Sequence, residues 1–287
     1  MRDAKRSATF TFNAASDAYD DSALGFRDYF GRKTVEKLSI REGARVLDVC
    51  CGTGSSAIPA AESVGASGFV IGVDLADRLL ALAREKARQR DLQNITFRVA
   101  DMLDLDYQAE SFDAVLCVFG IFFAPDMPAA VRELWRFVRP SGKLAITSWG
   151  PNVLEPANSA FWRSIRELRS EAHKPFEPWG RIADPGGLRQ MLREGGVEAE
   201  EVITENRSHP IRSAEDWWTI VLGSGRREAI EQLTPTEVAV VKKANLAFVR
   251  DHRITSLETT ALHAIATKNR TDPRLSMEQQ RNFRTRD

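Results

Sequence analysis

Cysteine, histidine, net charge and long apolar runs are all scarce in this chain, and each scarcity closes a class of function. Three cysteines occur, and two of them, Cys50 and Cys51, are neighbours. Adjacent strand residues point to opposite faces, so neither a disulfide framework nor a metal site is laid out. The thiols read as small buried hydrophobes of a reducing cytoplasm. Forty basic side chains balance forty acidic ones, leaving no global field to draw the protein to nucleic acid or an anionic membrane. No apolar run reaches the roughly 18–20 residues that span a bilayer. Residues 1–10 are polar, without the apolar centre of a secretion signal. Of the four histidines, His263 alternates with apolar residues and reads as structural, whereas substrate contact is open for His173 and His209. What remains is a soluble chain of 287 residues, long enough for a sizeable core and one or two domains.

What is present is an alternation. Strand patterns at 45–50, 69–74, 95–100, 112–119 and 143–149 are separated by stretches with apolar residues at helical spacing. In 77–90, Leu79, Leu80, Leu82, Ala83 and Ala87 share one side. In 126–139, Met127, Ala130, Val131, Leu134, Trp135 and Val138 form one stripe, with Asp126 as cap, Pro128 in the first turn and 139–142 as the stop. Such alternation predicts an α/β fold, a doubly wound Rossmann-like sheet with right-handed crossovers. After residue 150 the regularity breaks. Helices are expected at 158–170, 184–194, 213–232 and 235–251, and strands at 197–206 and 258–268. Two further strands would complete a seven-stranded sheet, its last strand antiparallel, under a helical cap. The expected organisation is an N-terminal helical lid over 1–44, a core over 45–150, strands with the cap over 151–270, and a frayed tail over 271–287.

Ligands of such sheets bind at the carboxyl ends of the strands. Residues 46–54, Val-Leu-Asp-Val-Cys-Cys-Gly-Thr-Gly, form a buried strand, a glycine turn and a helix start, which brings backbone N–H groups against a nucleotide-like ligand. Asp48, Cys50, Gly52, Thr53 and Gly54 are candidates there, with Asp48 either meeting the ligand or ordering the turn. Asp74 and Leu75 end the second strand, where a carboxylate can accept both ribose hydroxyls. Asp101 and Met102 end the third, where the acid can accept from an adenine amino group, and Val118 and Phe119 end the fourth beside the reaction centre.

These segments, with Val70-Ile71-Gly72-Val73-Asp74, Ser111-Phe112-Asp113-Ala114-Val115 and the run from Leu134 to Leu144, resemble the class I S-adenosylmethionine (SAM)-dependent methyltransferases. The first motif is similar to that of the ubiquinone/menaquinone-biosynthesis enzymes. The resemblance implies SAM as cofactor, and Tyr19-Asp20 resembles the segment that closes over it. It implies methyl transfer to a small, apolar or aromatic acceptor, at oxygen, nitrogen or carbon. Phe122, Phe123, Trp149, Trp179 and Trp217 are the candidate acceptor contacts. No catalytic base, metal or oligomeric state is indicated.

Two other readings stay open. The run Gly52-Thr53-Gly54-Ser55-Ser56-Ala57 also matches the G-x-G-x-x-A of NAD(P)-dependent oxidoreductases, and Tyr29 and Lys33 have their Tyr-x-x-x-Lys spacing, though ahead of the first strand. A protein that binds SAM without transferring the methyl group is the second.

Overall fold

A computed structural model of the chain describes residues 2–169 and 178–269. The expected tail and His173 lie outside the described residues. Five strands and their helices follow the predicted alternation: β1 (Arg45–Val49), α3 (Ala57–Val64), β2 (Phe69–Asp74), α4 (Asp77–Gln89), β3 (Ile95–Val99), β4 (Phe112–Val118), α5 (Met127–Phe137) and β5 (Val138–Trp149). Before them stand α1 (Arg2–Ala14) and α2 (Phe26–Leu38). After them come α6 (Ala157–Leu168), α7 (Pro185–Glu194), β6 (Glu201–Glu205), β7 (Ser208–Pro210), α8 (Ala214–Leu222), α9 (Arg227–Glu231), α10 (Pro235–Asp251), β8 (Ser256–Glu258) and β9 (Ala261–Thr267). The large sheet has seven strands in the order β3-β2-β1-β4-β5-β9-β6. The last strand, β9, inserts antiparallel between β5 and β6, as expected. Among the described residues no helix is long and apolar enough to cross a membrane.

Period-two alternation sorts the strand residues onto two faces. Leu47, Val49, Val115, Cys117, Leu144 and Ile146 join the cluster that contains α5, α6 and α7 residues. Val46, Val70, Ala114, Leu116 and Ala145 join the opposite cluster with α3 and α4. Asp48 therefore faces α3.

Several boundaries differ from the sequence reading: the helix expected over 213–232 is divided into α8 and α9, and the strand expected over 197–206 spans Glu201–Glu205. Helix α5 begins as expected, with Asp126 accepting the Ala129 N–H at 2.9 Å, but ends at Phe137 rather than 139. The residue before Pro140 disfavours helical backbone, and Val138 instead pairs with Phe112 across a bulge, so β5 starts early. The ribbon β7–β8 was not anticipated, because three-residue strands are too short to show an alternation.

Helix α2 lies tightly against the start of the first crossover. A Cβ on Gly31 would stand 2.2 Å from the Ser55 carbonyl oxygen, a distance that only backbone movement could relieve. Gly31→Ala should therefore cost about 1–3 kcal/mol or more in urea denaturation. Gly180→Ala is the control, since nothing lies within 4 Å of its Cβ position, and it should stay within about 0.5 kcal/mol of wild type.

Candidate functional site

The carboxyl ends of β1, β2 and β4 open into a cavity of about 1300 Å³, the solvent at its mouth included. Its floor is the turn after β1. Cys50 (φ +58°) and Gly52 (φ +54°) both take left-handed backbone there, a conformation that costs glycine nothing and other residues about 1 kcal/mol or more. Asp74, at the end of β2, secures this turn. Its Oδ2 accepts the Gly52 N–H at 2.9 Å and its Oδ1 accepts the Ala76 N–H at 2.9 Å. Burial nevertheless holds its pKa above the usual carboxylate value, against the lowering effect of these bonds and one from Leu75. Each carboxylate oxygen retains a further lone pair, so Asp74 can still accept from ligand hydroxyls. Gly120 matters for the same turn: a Cβ on it would lie 2.4 Å from the Cβ of Cys50.

The N-terminal segment closes one side. The Tyr19 hydroxyl lies 3.3 Å from where a Gly52 Cβ would be. Burial raises the phenol above its ordinary pKa, partly offset by the Arg27 guanidinium, which sits 4.0 Å over its ring. Thr53 does not reach the cavity. It donates to Asp20 at 2.5 Å, and Lys86 donates to both at 3.0 Å. This cluster latches the Tyr19-Asp20 segment to the glycine turn.

Asp48 also lies behind the turn. It is fully buried and accepts from Ser56 Oγ at 2.7 Å. Burial, with the nearby Asp74 charge adding to it, pushes its carboxyl up to about 7, against the bonds from Ser56 and the Ala57 backbone. Of the two roles open for it, the structure supports ordering of the turn.

The other predicted residues divide clearly. Tyr19, Cys50, Gly52, Asp74, Leu75, Met102, Val118 and Phe119 line the cavity, as do Phe122, Phe123, Trp149 and Trp179. Gly54 (φ +86°) faces Ile58 and Phe97 instead. Asp101 pairs with Lys5 of α1 at 2.6 Å and caps Leu103, while its neighbours Ala100 and Met102 form the wall. Trp217 is a correction. It is wholly buried and donates to Asn245 at 3.0 Å, a packing role within the cap. Sequence reasoning missed Phe12, Phe26, Arg27 and Arg226, all on the wall. Phe12 and Phe26 belong to stretches with no motif, and the arginines are two among many. For the oxidoreductase reading, Tyr29 bonds Glu205 at 2.6 Å and Lys33 bonds Glu36 at 2.6 Å. Neither residue is on the cavity wall.

Residues 46–142 match the model of a methyltransferase-domain family. The chain is 34% identical over 210 residues to a demethylmenaquinone methyltransferase of Listeria monocytogenes serotype 4b, covering 68% of this chain and 89% of that one. The chain belongs to the SAM-dependent methyltransferases. It is also 35% identical over 144 residues to the aklanonic acid methyltransferase DauC of a Streptomyces species, covering 50% of this chain and 66% of that one. A SAM-dependent methyltransferase from Aquifex aeolicus shares the fold, with a TM-score of 0.51 at 20% identity over 67% of this chain and 91% of its own. The methyltransferase fold and its SAM cofactor agree with the expectation, and the turn fits that ligand. Gly52 leaves the cavity open where a Cβ would crowd Tyr19, and Asp74 presents acceptors beside it.

The pH behaviour of this methyltransferase should report on Asp48. Its carboxyl titrates near 3.8 when unperturbed and at about 7 in the fold. Between those values the folded state keeps a proton that the unfolded chain has lost. The Asp48 contribution to stability thus falls as pH rises from about 4 to about 7 and is level beyond. Asp48→Asn retains an acceptor for Ser56 and cannot ionise. Its stability relative to wild type should climb through that window, measured by urea titration at several pH values. A difference that is flat in pH would mean that Asp48 is ionised throughout.

Proposed function

We propose that this methyltransferase acts in the cytoplasm on a small, aromatic or largely apolar acceptor of quinone or polyketide type. The observation that carries the reading is the aromatic wall continuous with the cofactor end of the cavity. Phe119 stacks on Trp149 with centroids 3.5 Å apart and planes 5° from parallel. Phe122 meets Trp179 edge-on at 5.6 Å, and Phe123 meets Phe12 at 5.4 Å. Flat apolar molecules are the natural complement of such a surface. The acceptors named for the Listeria and Streptomyces relatives, a demethylmenaquinone and aklanonic acid, support it.

In this reading Asp74 takes the ribose hydroxyls, Leu75 and Met102 flank the adenine, and Tyr19, Cys50 and Gly52 border the amino-acid portion. Thr53 and Asp48 act through the turn they hold. SAM supplies a methyl group already activated on a sulfonium. The chain's own part is to exclude water and align the acceptor, and orientation of this kind is worth up to roughly 7–11 kcal/mol of barrier. The hydrogen bond with Cys117, with burial adding to it, pushes the Cys50 thiol well up, and burial does the same for Cys51 and raises the Tyr19 phenol, away from the range of a base at neutral pH. The wall therefore works by positioning. Residues 45–150 bind the cofactor, while Val153, Leu154, Trp179 and the segment from Ser224 to Arg226 bring the cap to the acceptor end.

Two substitutions separate the halves. Asp74→Ala removes a charged acceptor and should weaken SAM about 10–100-fold by calorimetry. Trp179→Ala should leave SAM affinity within about twofold while raising the acceptor KM or lowering kcat, since a buried aromatic contributes a few kcal/mol, about 1.5–3. Unchanged SAM affinity in Asp74→Ala would remove the ribose assignment. Loss of SAM binding in Trp179→Ala would make the cap part of the cofactor site.

A further inference from the structure

Asp48 stands in β1, two residues before the floor turn, and has no exposed surface. The donors that reach its carboxyl are Ser56 Oγ, 2.7 Å from Oδ2, and the Ala57 N–H. Oδ1 is buried and has no hydrogen-bond partner among the described residues. A carboxylate removed from water needs donors at both oxygens, whereas a neutral acid leaves one idle at smaller cost. The geometry of the free protein therefore suits the protonated form.

The groups packed against Asp48 are acids or neutral. Strand β2 brings Asp74, whose charge further disfavours ionisation of Asp48. Strand β4 sets Leu116 beside it in register. Helix α2 approaches through Gly31, next to Ser55 and Ser56, and its Asp28 accepts from Ser55 Oγ at 2.6 Å. The Cys51 thiol is buried and held protonated. The ion pairs among the described residues include neither Asp48 nor Asp74. A positive charge arriving at this floor would be the first partner of that sign for either acid.

We propose that Asp48 is the proton-linked counter-charge of this cavity, neutral in the free protein and ionised when a ligand brings a sulfonium to the end of β1. The inference rests on the reading of this cavity as the SAM pocket. On ionisation the O–H bond breaks, the electron pair stays on the carboxylate and the proton passes to the buffer. S-adenosylhomocysteine has the groups of SAM with a neutral thioether in place of the sulfonium, so charge at sulfur is what the floor can tell apart. SAM is then held over an anionic floor. Once the methyl group has left, the proton returns, and the product lies over a neutral acid with no charge attraction to keep it.

Calorimetry in buffers of different ionisation enthalpy counts the protons released on binding. With the carboxyl at about 7, a fall of about one unit, the low end for a neighbouring opposite charge, releases about half a proton near pH 6.5. SAM affinity should then rise about threefold per pH unit there, and S-adenosylhomocysteine affinity by less than about 1.5-fold. Asp48→Asn should abolish this release. The ligands' own amino groups titrate alike in both proteins, so the part lost belongs to the Asp48 carboxyl. Ser56→Ala serves if Asp48→Asn does not fold. It removes a bond that favours the ionised form, so the pH of greatest release should move up. Equal proton counts for SAM in wild type and Asp48→Asn would overturn the proposal. So would a release from Asp48 that S-adenosylhomocysteine evokes as strongly as SAM, or a window that Ser56→Ala leaves in place. The pocket reading fails separately, through SAM affinity in Asp74→Ala, whereas the proton count follows Asp48 at any affinity.

Discussion

Everything at the ligand edge depends on how one short turn is held. Cys50 through Gly54 adopts left-handed backbone at three positions, and an isolated chain would not keep that path. Here it is gripped from several directions. Asp48 holds Ser56 from below, and Asp74 takes the Gly52 N–H from the neighbouring strand. Thr53 bonds Asp20 on the lid side, and Gly31 lets α2 press onto Ser55. These grips come from distant parts of the chain, so the turn forms only when the sheet and N-terminal helices are assembled. Unmade, each bond would leave a buried polar group unsatisfied, at about 1–3 kcal/mol apiece.

The buried carboxyl of Asp48 shows how such a grip is reconciled with an apolar interior. An ionised acid here would be costly, and burial answers by raising its pKa to about 7. His263 makes the opposite adjustment across the sheet. Burial drives its pKa down to about 4, so the neutral ring bonds Thr34 and Thr147 at 3.1 Å. Both groups remain near neutral by environment, and each ties a strand to a helix on the same face of the sheet, α3 for Asp48 and α2 for His263. Between about pH 4 and pH 7 these two fasteners carry little charge.

The sheet and most helices were legible because parallel strands and amphipathic helices write their periods over many residues. Asp74, Gly52 and the aromatic residues after β4 were legible for a different reason: strand ends are where ligands bind. What was not legible depends on contacts between segments far apart in the chain. Thr53 and Asp101 sit at the expected strand ends, yet Asp20 and Lys5 reach across from the N-terminal segment and engage them. Trp217 looked like a pocket residue by composition, but the α8–α10 packing buries it against Asn245. Arg27 has no local signature at all; only the approach of Gly223, remote in sequence, reveals its place.

The small ribbon of β7 and β8 has an architectural meaning beyond its size. Pro210 and Ser256 are paired in register, so the chain leaves for α8, α9 and α10 and returns at the same place. The helices between them form a cassette whose ends are already joined, as in a domain inserted into a host. Exchanging such a cassette leaves the register of the host sheet untouched and adds little closure entropy, which grows only slowly with loop length. A lineage could therefore trade one set of cap helices for another and meet new acceptors while inheriting the nucleoside site intact.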